Sequence, residues 1–412
     1  MTTPLRSRAN MSASAPEPVA SGPAGDAERA ARARIARDIA ELAAIARGSA
    51  TPGEHAAAHW AAARLRELGA ADVRVTHFRY RRSFAQAHAL HMAAAAGGAL
   101  VAAAGRRRAA RLLGRLVAGA ALLSFELDYS GRRQFARQLP PAGEGASVNG
   151  RLGEGPRTLV VVAHLDAALT GAIWSPVLLR AGDAWARRSG RRASLALLPE
   201  LAMLAALLGG RRALRSAAGA LVGFAALVLE CLRHEPVPGA NDNASGVAAA
   251  LELARRLSEQ SLPATRVEVI LPGCEEAGMG GMAAWLAEAK GKLDPARTLL
   301  IGLDTVGSGE PIVLAAEGGL WPVRYRPEDV QLVRRAATAR GLDPPRPWRL
   351  GAWTDPALAR LAGLPAVSLL SVRDGGFPNY HRPSDTPDRV DVGCVLRCVE
   401  LAEAVAREWA EA

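Results

Sequence analysis

The chain has 412 residues, half of them apolar, which is enough for one large core or for two domains of ordinary size. Its formal charge of +11 comes from 51 basic and 40 acidic residues, and the excess is arginine scattered along the chain. A nucleic-acid-binding protein would concentrate that charge on one face or interleave it with stacking aromatics, so we expect no nucleic-acid partner. The four cysteines lack CxxC spacing, which argues against a disulfide framework and a structural zinc site.

The N-terminal segment 1–30 is rich in Ser, Pro, Ala and Gly and contains no apolar stretch. This composition predicts a disordered leader, and no ordinary signal peptide is visible in it. We therefore expect the folded domain to occupy residues 31–412 and the protein to be cytoplasmic or associated with a membrane.

Helical periodicity comes first along this domain, in two segments that each end at a glycine, and is followed by units of strand and helix. The strand at 158–164, "TLVVVAH", is a continuous apolar run, which is typical of a strand buried on both faces. The alternation predicts an α/β fold in which helices sandwich a mostly parallel, mixed central sheet. Other strands are predicted at "ADVRVTHFRY", "SVNGRL", "TRVEVILPG", "TLLIGLDTVG", "GEPIVLAA" and "LPAVSLLSV".

Two apolar stretches, at about 86–127 and 168–233, interrupt the pattern and predict inserted helical hairpins with arginine-rich turns. A run of about 19 residues nearly matches the ~30 Å of bilayer hydrocarbon, whereas the run of about ten residues from Leu116 falls far short. Arginines at both ends of each run give no clear orientation. Three interpretations therefore remain open: packed soluble helices, hairpins that dip into a membrane, and true spans. The arginine clusters favour an anionic membrane surface as partner, although solvated basic turns would look the same.

Ligand-type side chains recur where the apolar strands end. His164 and Asp166 end the strand "VVVAHLDAA", and Asp304 ends "LIGLDTVG". The carboxyl ends of strands are where α/β sheets place their ligands. His164 and Asp166 alone would also fit an ordinary polar strand end.

Three further positions complete the pattern. The adjacent pair Glu275 and Glu276 follows a third apolar strand, where a nearby cation would relieve their mutual repulsion. His381 lies in a loop rich in Pro and Asp. Asp242, in "GANDNASG", also suits a helix cap. Imidazole together with carboxylate is typical of zinc, and two histidines with a carboxylate able to bridge favour two metals over one.

Five motifs resemble, in their order along the chain and in their residues, those of the co-catalytic dizinc exopeptidases of the aminopeptidase Y and bacterial leucyl aminopeptidase type. They are "AHLDA", "GANDNASG", "CEEAGMGG", "LDTVG" and "NYHRPSDTPDRVD". The resemblance covers about Ile35 to Ala410 apart from the two insertions, and it includes "GEHAAAHWAAARLRELGA" and "TDPALARLAGLPAVSL". It implies a zinc aminopeptidase fold and hydrolysis of N-terminal residues from peptide substrates.

The resemblance also implies a role for each motif residue. Two Zn²⁺ per chain are expected, with Asp242 as the bridge between them. Asp166 would orient one ligand, Glu275 would be the general base, and Asp242 would be followed by a cis peptide. The metal ligands implied are His164 and Asp304 on one zinc, Glu276 and His381 on the other, and Asp242 on both.

Two features depart from the family. About 75 residues separate Asp166 from Asp242, where relatives have a short loop, and the family's secretory signal is missing. A glutaminyl cyclase shares the scaffold but uses one zinc, so the complete second ligand set disfavours it. A receptor-like or scaffolding member would have lost ligands. The pair His55 and His59 lacks the glutamate of HExxH and is interpreted as ordinary helix surface.

Overall fold

A computed structural model describes residues 23–189 and 191–412. The predicted leader lies outside the described residues over 1–22. Its last eight residues, 23–30, overlap the first helix, which begins at Pro23.

The described residues form twelve α-helices and a nine-stranded sheet. The helices are α1 (Pro23–Ala43), α2 (Pro52–Glu67), α3 (Ala85–Ala104), α4 (Arg108–Tyr129), α5 (Pro176–Ser189), α6 (Leu197–Leu208), α7 (Arg211–Glu230), α8 (Ser245–Glu259), α9 (Gly280–Ala289), α10 (Pro327–Ala339), α11 (Asp355–Leu361) and α12 (Val392–Glu411). The strands are β1 (Ala71–Tyr80), β2 (Gly143–Leu152), β3 (Arg157–Val162), β4 (Thr265–Leu271), β5 (Thr298–Leu303), β6 (Glu310–Glu317), β7 (Val323–Arg324), β8 (Arg346–Leu350) and β9 (Ala366–Val372).

The sheet has the order β1-β2-β4-β3-β5-β9-β6-β7, and β8 pairs with β6. Its centre, β4-β3-β5-β9, is parallel, whereas β1, β2 and β7 pair antiparallel at the edges. Strands β5 and β9 are buried along their whole length, as expected for central strands covered on both faces. The predicted mostly parallel, mixed α/β sheet is confirmed, and its parallel centre brings four strand ends to one edge.

Helices α1, α8, α10 and α12 pack against one another beside the sheet. Glu252 of α8 is buried at this contact, and its carboxylate accepts hydrogen bonds from Arg34 of α1 and from Arg255. The ion pairs tie the N-terminal helix to the helix that begins beside Asp242.

Both predicted insertions are helical. The first is the hairpin α3–α4, which lies between β1 and β2. The second contains the predicted hairpin, α6–α7, and in front of it α5, a more polar helix that the apolar pattern did not separate. The two hairpins pack into one four-helix bundle, in which α3 contacts α4 and α7, and α6 contacts the same two helices. Its apolar interior is separate from the core around the sheet.

Candidate metal centre

The sheet brings the predicted site residues to one edge. His164 and Asp304 follow the parallel neighbours β3 and β5, and Glu275 and Glu276 follow β4. His381 lies in the loop after β9. Side-chain atoms of His164, Asp242 and Glu276 lie within 4.8 Å of one another, close enough to hold one ion. The chain thus folds so that motifs more than 200 residues apart form one cluster.

Asp242 lies between the two histidines. Its Oδ1 is 3.3 Å from His164 Nε2, and its Oδ2 is 3.1 Å from His381 Nε2. On either side the cluster continues in the pattern that the resemblance implies: Asp304 Oδ1 lies 3.8 Å from His164 Nε2, and Glu276 Oε2 lies 3.2 Å from His381 Nε2. One carboxylate therefore faces two separate nitrogen–oxygen groups.

The side chain of Asn243, the residue after Asp242, holds the loop that carries Asp242. Asp242 itself does not cap the helix that follows. The peptide bond between Asp242 and Asn243 is cis, as the resemblance implies. Asn243 Oδ1 accepts hydrogen bonds from the backbone N–H groups of Gly246 (3.0 Å) and Thr305 (3.1 Å), and its Nδ2 donates to Leu303 O (3.1 Å). Asn243 thus supplies the contact to the first turn of α8, which leaves the Asp242 carboxylate free to face the histidines.

Asp166 organises the opposite side of the cluster. Its Oδ1 lies 3.6 Å from His164 Nδ1 and accepts a hydrogen bond from the N–H of Glu275 (2.9 Å). Its Oδ2 accepts from the N–H of Glu276 (3.1 Å) and from Ser49 Oγ (2.6 Å). The carboxylate therefore contacts a histidine ring and also fixes the turn that presents both glutamates. The sequence analysis predicted only the first of these two roles.

Glu54, which the sequence analysis did not identify, supports the same turn from beneath. Its buried carboxylate accepts hydrogen bonds from the N–H groups of Cys274 (2.6 Å), Ala146 (2.8 Å) and Ala50 (3.2 Å). Burial, together with the charge of Asp166, raises the pKa of Glu54 to about 8. A glutamate in the first turn of a helix suits the helix dipole, so nothing in the sequence distinguished it from an ordinary one.

Arg47 and Asp385 are two further residues that the sequence did not reveal. Arg47 is fully buried and donates to Leu165 O (2.8 Å) and to Gly239 O (2.6 Å), next to His164 and close to Asp242 in the chain. Asp385 accepts hydrogen bonds from the N–H groups of Asn241 (2.9 Å) and Asp242 (3.0 Å). Asp385 falls within the motif "NYHRPSDTPDRVD", so the motif itself was its only signal.

Charge is not balanced in the cluster. Burial raises the pKa of Glu275 well above its usual range, and the neighbouring carboxylates Glu276, Asp355 and Asp304 raise it further against the opposing effect of His164. Burial likewise raises the pKa of Glu276. Cations bound among these carboxylates would reverse that effect and let them stay ionised.

The residues present fit a metal by an unsatisfied atom as well as by their chemistry. Glu276 Oε1 is buried without a hydrogen-bond partner among the described residues, beside the Oε2 that faces His381. Buried polar atoms are seldom left in this state, and a bound ion is one common partner for them. Two imidazoles with several carboxylates form the donor set of zinc rather than that of calcium.

The second insertion reaches this centre. Trp174, in a short 3₁₀ turn before α5, packs edge-on against His381 with ring centroids 4.3 Å apart. Tyr380 stacks on the same imidazole at 3.8 Å. The insertion therefore forms part of the wall around a predicted ligand, as expected for a segment that leaves the rim of the site.

Solved structures with this fold include zinc aminopeptidases and a glutaminyl cyclase. The chain is similar to an aminopeptidase from Aneurinibacillus sp. strain AM-1, with 14% identity, a TM-score of 0.56 and coverage of 91% of this chain and 93% of that one. It is similar to BSAP, a zinc aminopeptidase from Bacillus subtilis, with 16% identity, a TM-score of 0.54 and coverage of 92% and 95%. It is also similar to a glutaminyl cyclase from Bacteroides thetaiotaomicron, with 15% identity, a TM-score of 0.52 and coverage of 92% and 96%. At such identities the likeness shows the fold.

The family profile described as Peptidase family M28 matches residues 226–406. The matched part contains Asp242, Glu275, Glu276, Asp304 and His381, whereas His164 and Asp166 precede it. No curated protein sequence matches the chain. Residues 226–406, somewhat less than half of the chain, are thus similar to peptidase family M28, and the fold of the described residues is similar to that of zinc aminopeptidases.

Proposed function

We propose that the protein is a dizinc aminopeptidase that removes N-terminal residues from peptides. The observation that carries the proposal is the placement of the Asp242 carboxylate, with one oxygen towards His164 and the other towards His381. A carboxylate shared in this way suits a pair of metals better than a single ion. His164 and Asp304 would hold one zinc and Glu276 and His381 the other.

Zinc in this centre would supply Lewis-acid polarisation of the scissile carbonyl and a lowered pKa for the attacking water. Glu275 takes a proton from that water and passes it to the departing amine. Its carboxylate faces the cluster, with Oε2 3.9 Å from His164 Nε2, and its backbone N–H is fixed by Asp166. Asp166 holds the His164 ring and the Glu275 backbone in one arrangement, so the proton acceptor and the metal ligand keep their relative position.

The test combines metal analysis with a panel of aminoacyl-anilides and short peptides. Purified protein should contain two zinc ions per chain, and chelation should abolish hydrolysis. Glu275→Gln should remove turnover while leaving the zinc content unchanged, because the amide cannot accept the proton. Glu288→Gln changes an exposed glutamate on α9 and is the matched control.

Two results would overturn the proposal. Protein that resists zinc loading is incompatible with the dizinc centre, and full activity of Glu275→Gln is incompatible with its part as base. Peptides with N-terminal glutamine distinguish the cyclase-like alternative, since a cyclase would release ammonia and leave an intact peptide with an N-terminal pyroglutamyl residue, whereas an aminopeptidase would release a free amino acid.

A further inference from the structure

The outer surface of the four-helix bundle carries a continuous apolar belt. We define this belt as the exposed residues within 90–104 of α3, 116–125 of α4, 197–208 of α6 and 216–229 of α7. These ranges contain no Lys or Arg, and Glu200, the one acidic residue, is 0% exposed. Instead the belt exposes large apolar side chains, including Leu100 (53%), Leu116 (59%), Leu123 (58%), Leu201 (50%), Leu208 (69%) and Val222 (58%). Helices that face water carry charged residues on that side, and large contiguous apolar patches are rare on soluble proteins.

Charge is concentrated at one end of the bundle, which we call the tip. The turns between α3 and α4 and between α6 and α7 meet there, since Arg115 of α4 donates to Gly209 O (2.7 Å). The tip exposes Arg106, Arg107 and Arg108 on one hairpin and Arg211, Arg212 and Arg215 on the other. The nearest acidic residues along α4 and α7, Glu126 and Glu230, lie at the opposite ends of these helices. The tip therefore complements anionic phosphate groups.

Packing inside the bundle is of the kind found between helices in lipid. Gly98 of α3 and Gly114 of α4 lie so close that a Cβ on Gly98 would be 2.5 Å from Gly114 O, and a Cβ on Gly114 would be 2.4 Å from Gly98 O. Small residues at such crossings let backbones approach, which matters most where no hydrophobic force draws helices together.

The positions of the belt and the tip distinguish the ways of meeting a membrane. All four helices contribute to the belt, so a bundle lying flat on a membrane would leave part of it in water. A tip that stopped within the hydrocarbon would bury arginines there, which is costly for charged side chains. Helices α3 and α7, with 20 residues each, are long enough for about 30 Å, and long arginine side chains extend that reach.

We propose that α3 and α7 cross a phospholipid bilayer, carry the tip arginines to anionic headgroups on the far side and hold the catalytic domain at the near surface. The shorter apolar stretches of α4 and α6 pack against these two helices within the bundle; α6, with 12 residues, reaches only about 18 Å. The length and composition of α3 and α7 meet the criteria for membrane spans, although α3 is more buried within the bundle than α7.

The test uses the full-length protein in sealed vesicles of mixed neutral and anionic phospholipid. Gly210→Cys places a thiol at the exposed tip, where a Cβ meets no atom within 4 Å, and Lys290→Cys places one on the catalytic domain. The four native cysteines are buried. A membrane-impermeant maleimide should label the two variants from opposite sides, and the protein should stay in the membrane pellet after alkaline carbonate extraction.

Labelling of both variants from the same side would overturn the proposal. So would a protein that remains in the supernatant without detergent. If that soluble protein were a dimer whose contact protects the belt from labelling, a second copy rather than lipid would be the partner.

A separate observation concerns the base of the bundle, where an apolar cavity of about 270 Å³ joins it to the metal centre. Phe125, Leu198 and Leu227 line it from the bundle, and Glu275 and His381 line it from the centre. Leu198 is also 51% exposed within the belt, so the cavity reaches the edge of the lipid-facing surface. Most of the wall away from the metal centre comes from the insertions.

We infer that this cavity binds the alkyl group of amphipathic amides, including chains longer than a leucine side chain, that partition into lipid. This inference rests on the proposed hydrolytic function. Each methylene buried in the cavity contributes about 0.8 kcal/mol, or roughly fourfold in kcat/KM, until the cavity is full.

A series of anilides of straight-chain 2-amino acids with side chains of increasing length tests the inference. The kcat/KM value should rise along the series, and Leu227→Trp, which fills the cavity, should lower it for long chains more than for the alanyl substrate. Val222→Leu, on the belt but outside the cavity, is the control. Equal kcat/KM for all chain lengths would overturn the alkyl site, whereas hydrolysis of none of them would contradict the proposed function.

Discussion

Replacing Arg47 by methionine should destabilise the fold and the metal centre together. The guanidinium is fully buried and donates to the carbonyl oxygens of Leu165 (2.8 Å), Gly239 (2.6 Å), Leu42 (3.2 Å) and Pro238. It therefore joins the end of α1 to the loops that carry His164 and Asp242. Burial lowers its pKa to about 10, so it remains charged at neutral pH.

The magnitude follows from what the methionine would leave behind. Four carbonyl groups would lose a donor, and the carboxylates of Asp385, Asp166, Asp242 and Glu276 would lose the cation that interacts with them. Removing one partner of a buried charge arrangement costs about 3–5 kcal/mol. Arg47→Lys retains the charge but offers a single ammonium in place of a planar fork, so we expect about half of that loss.

Thermal unfolding of detergent-solubilised protein, with and without added zinc, measures the effect. At roughly 1–2 °C per kcal/mol for a chain of this size, Arg47→Met should lower the midpoint by about 3–10 °C. Arg66→Met, on the exposed side of α2, should change it by less than about 1 °C. A midpoint for Arg47→Met within 1 °C of the control value, ~0 kcal/mol on this scale, would refute the reasoning.

Two further substitutions test packing and charge elsewhere. Burial by itself raises the pKa of Glu252, but the arginines around it lower it from 4.5 to about 2, so its stabilisation is complete above pH 4.5 and is lost as the pH falls towards 2. Glu252→Gln should therefore reduce the free energy of unfolding by about 1–2 kcal/mol at pH 7, and the difference in midpoint from the unsubstituted protein should shrink between pH 5 and pH 3. As the control, Glu259→Gln at an exposed ion pair should change the midpoint little at either pH. Gly98→Ala should reduce the free energy of unfolding by about 1–3 kcal/mol through its clash with Gly114, and so lower the midpoint. Gly97→Ala, where a Cβ meets nothing within 4 Å, should leave the midpoint unchanged, and equal effects of the two substitutions would contradict the close packing.

The sequence was sufficient to predict seven of the nine strands of the sheet and the ligand-type residues that follow some of them. Continuous apolar runs such as β3 and β5 can be recognised as strands in the sequence because a strand covered on both faces does not alternate between apolar and polar residues. A polar residue immediately after such a run, like His164 or Asp304, is then conspicuous. Short elements were not predicted: β8, "RPWRL", is an edge strand with exposed arginine and proline, and its pairing with β6 sets its structure more than its composition does.

The supporting residues were beyond the reach of sequence patterns for a physical reason. Glu54 and Arg47 lie in helical or turn segments where charged residues are ordinary, and only the tertiary fold buries them. Glu54 contacts the N–H of Cys274, 220 residues away, and Arg47 contacts Gly239, 192 residues away. A local hydrophobic pattern of period 3.6 or 2 indicates which face of a helix or strand is buried, but it does not identify the residues that pack against that face. The same limit applies to the bundle, whose helices were predicted but whose pairing was not.

The long insertion between Asp166 and Asp242 leaves the metal centre intact because its two ends meet. Val237 donates its N–H to Ala168 O (2.9 Å), and Leu169 forms an isolated bridge with Pro236. The two ends of the long segment therefore lie as close together as the ends of a short loop would, and the strands of the sheet need not move to accommodate it. Extending a loop whose ends are already held costs only about 0.6 kcal/mol for each doubling of its length. The fold can thus carry a helical bundle at the rim of its centre without moving His164 relative to Asp242, which is the relation that the proposed dizinc centre requires.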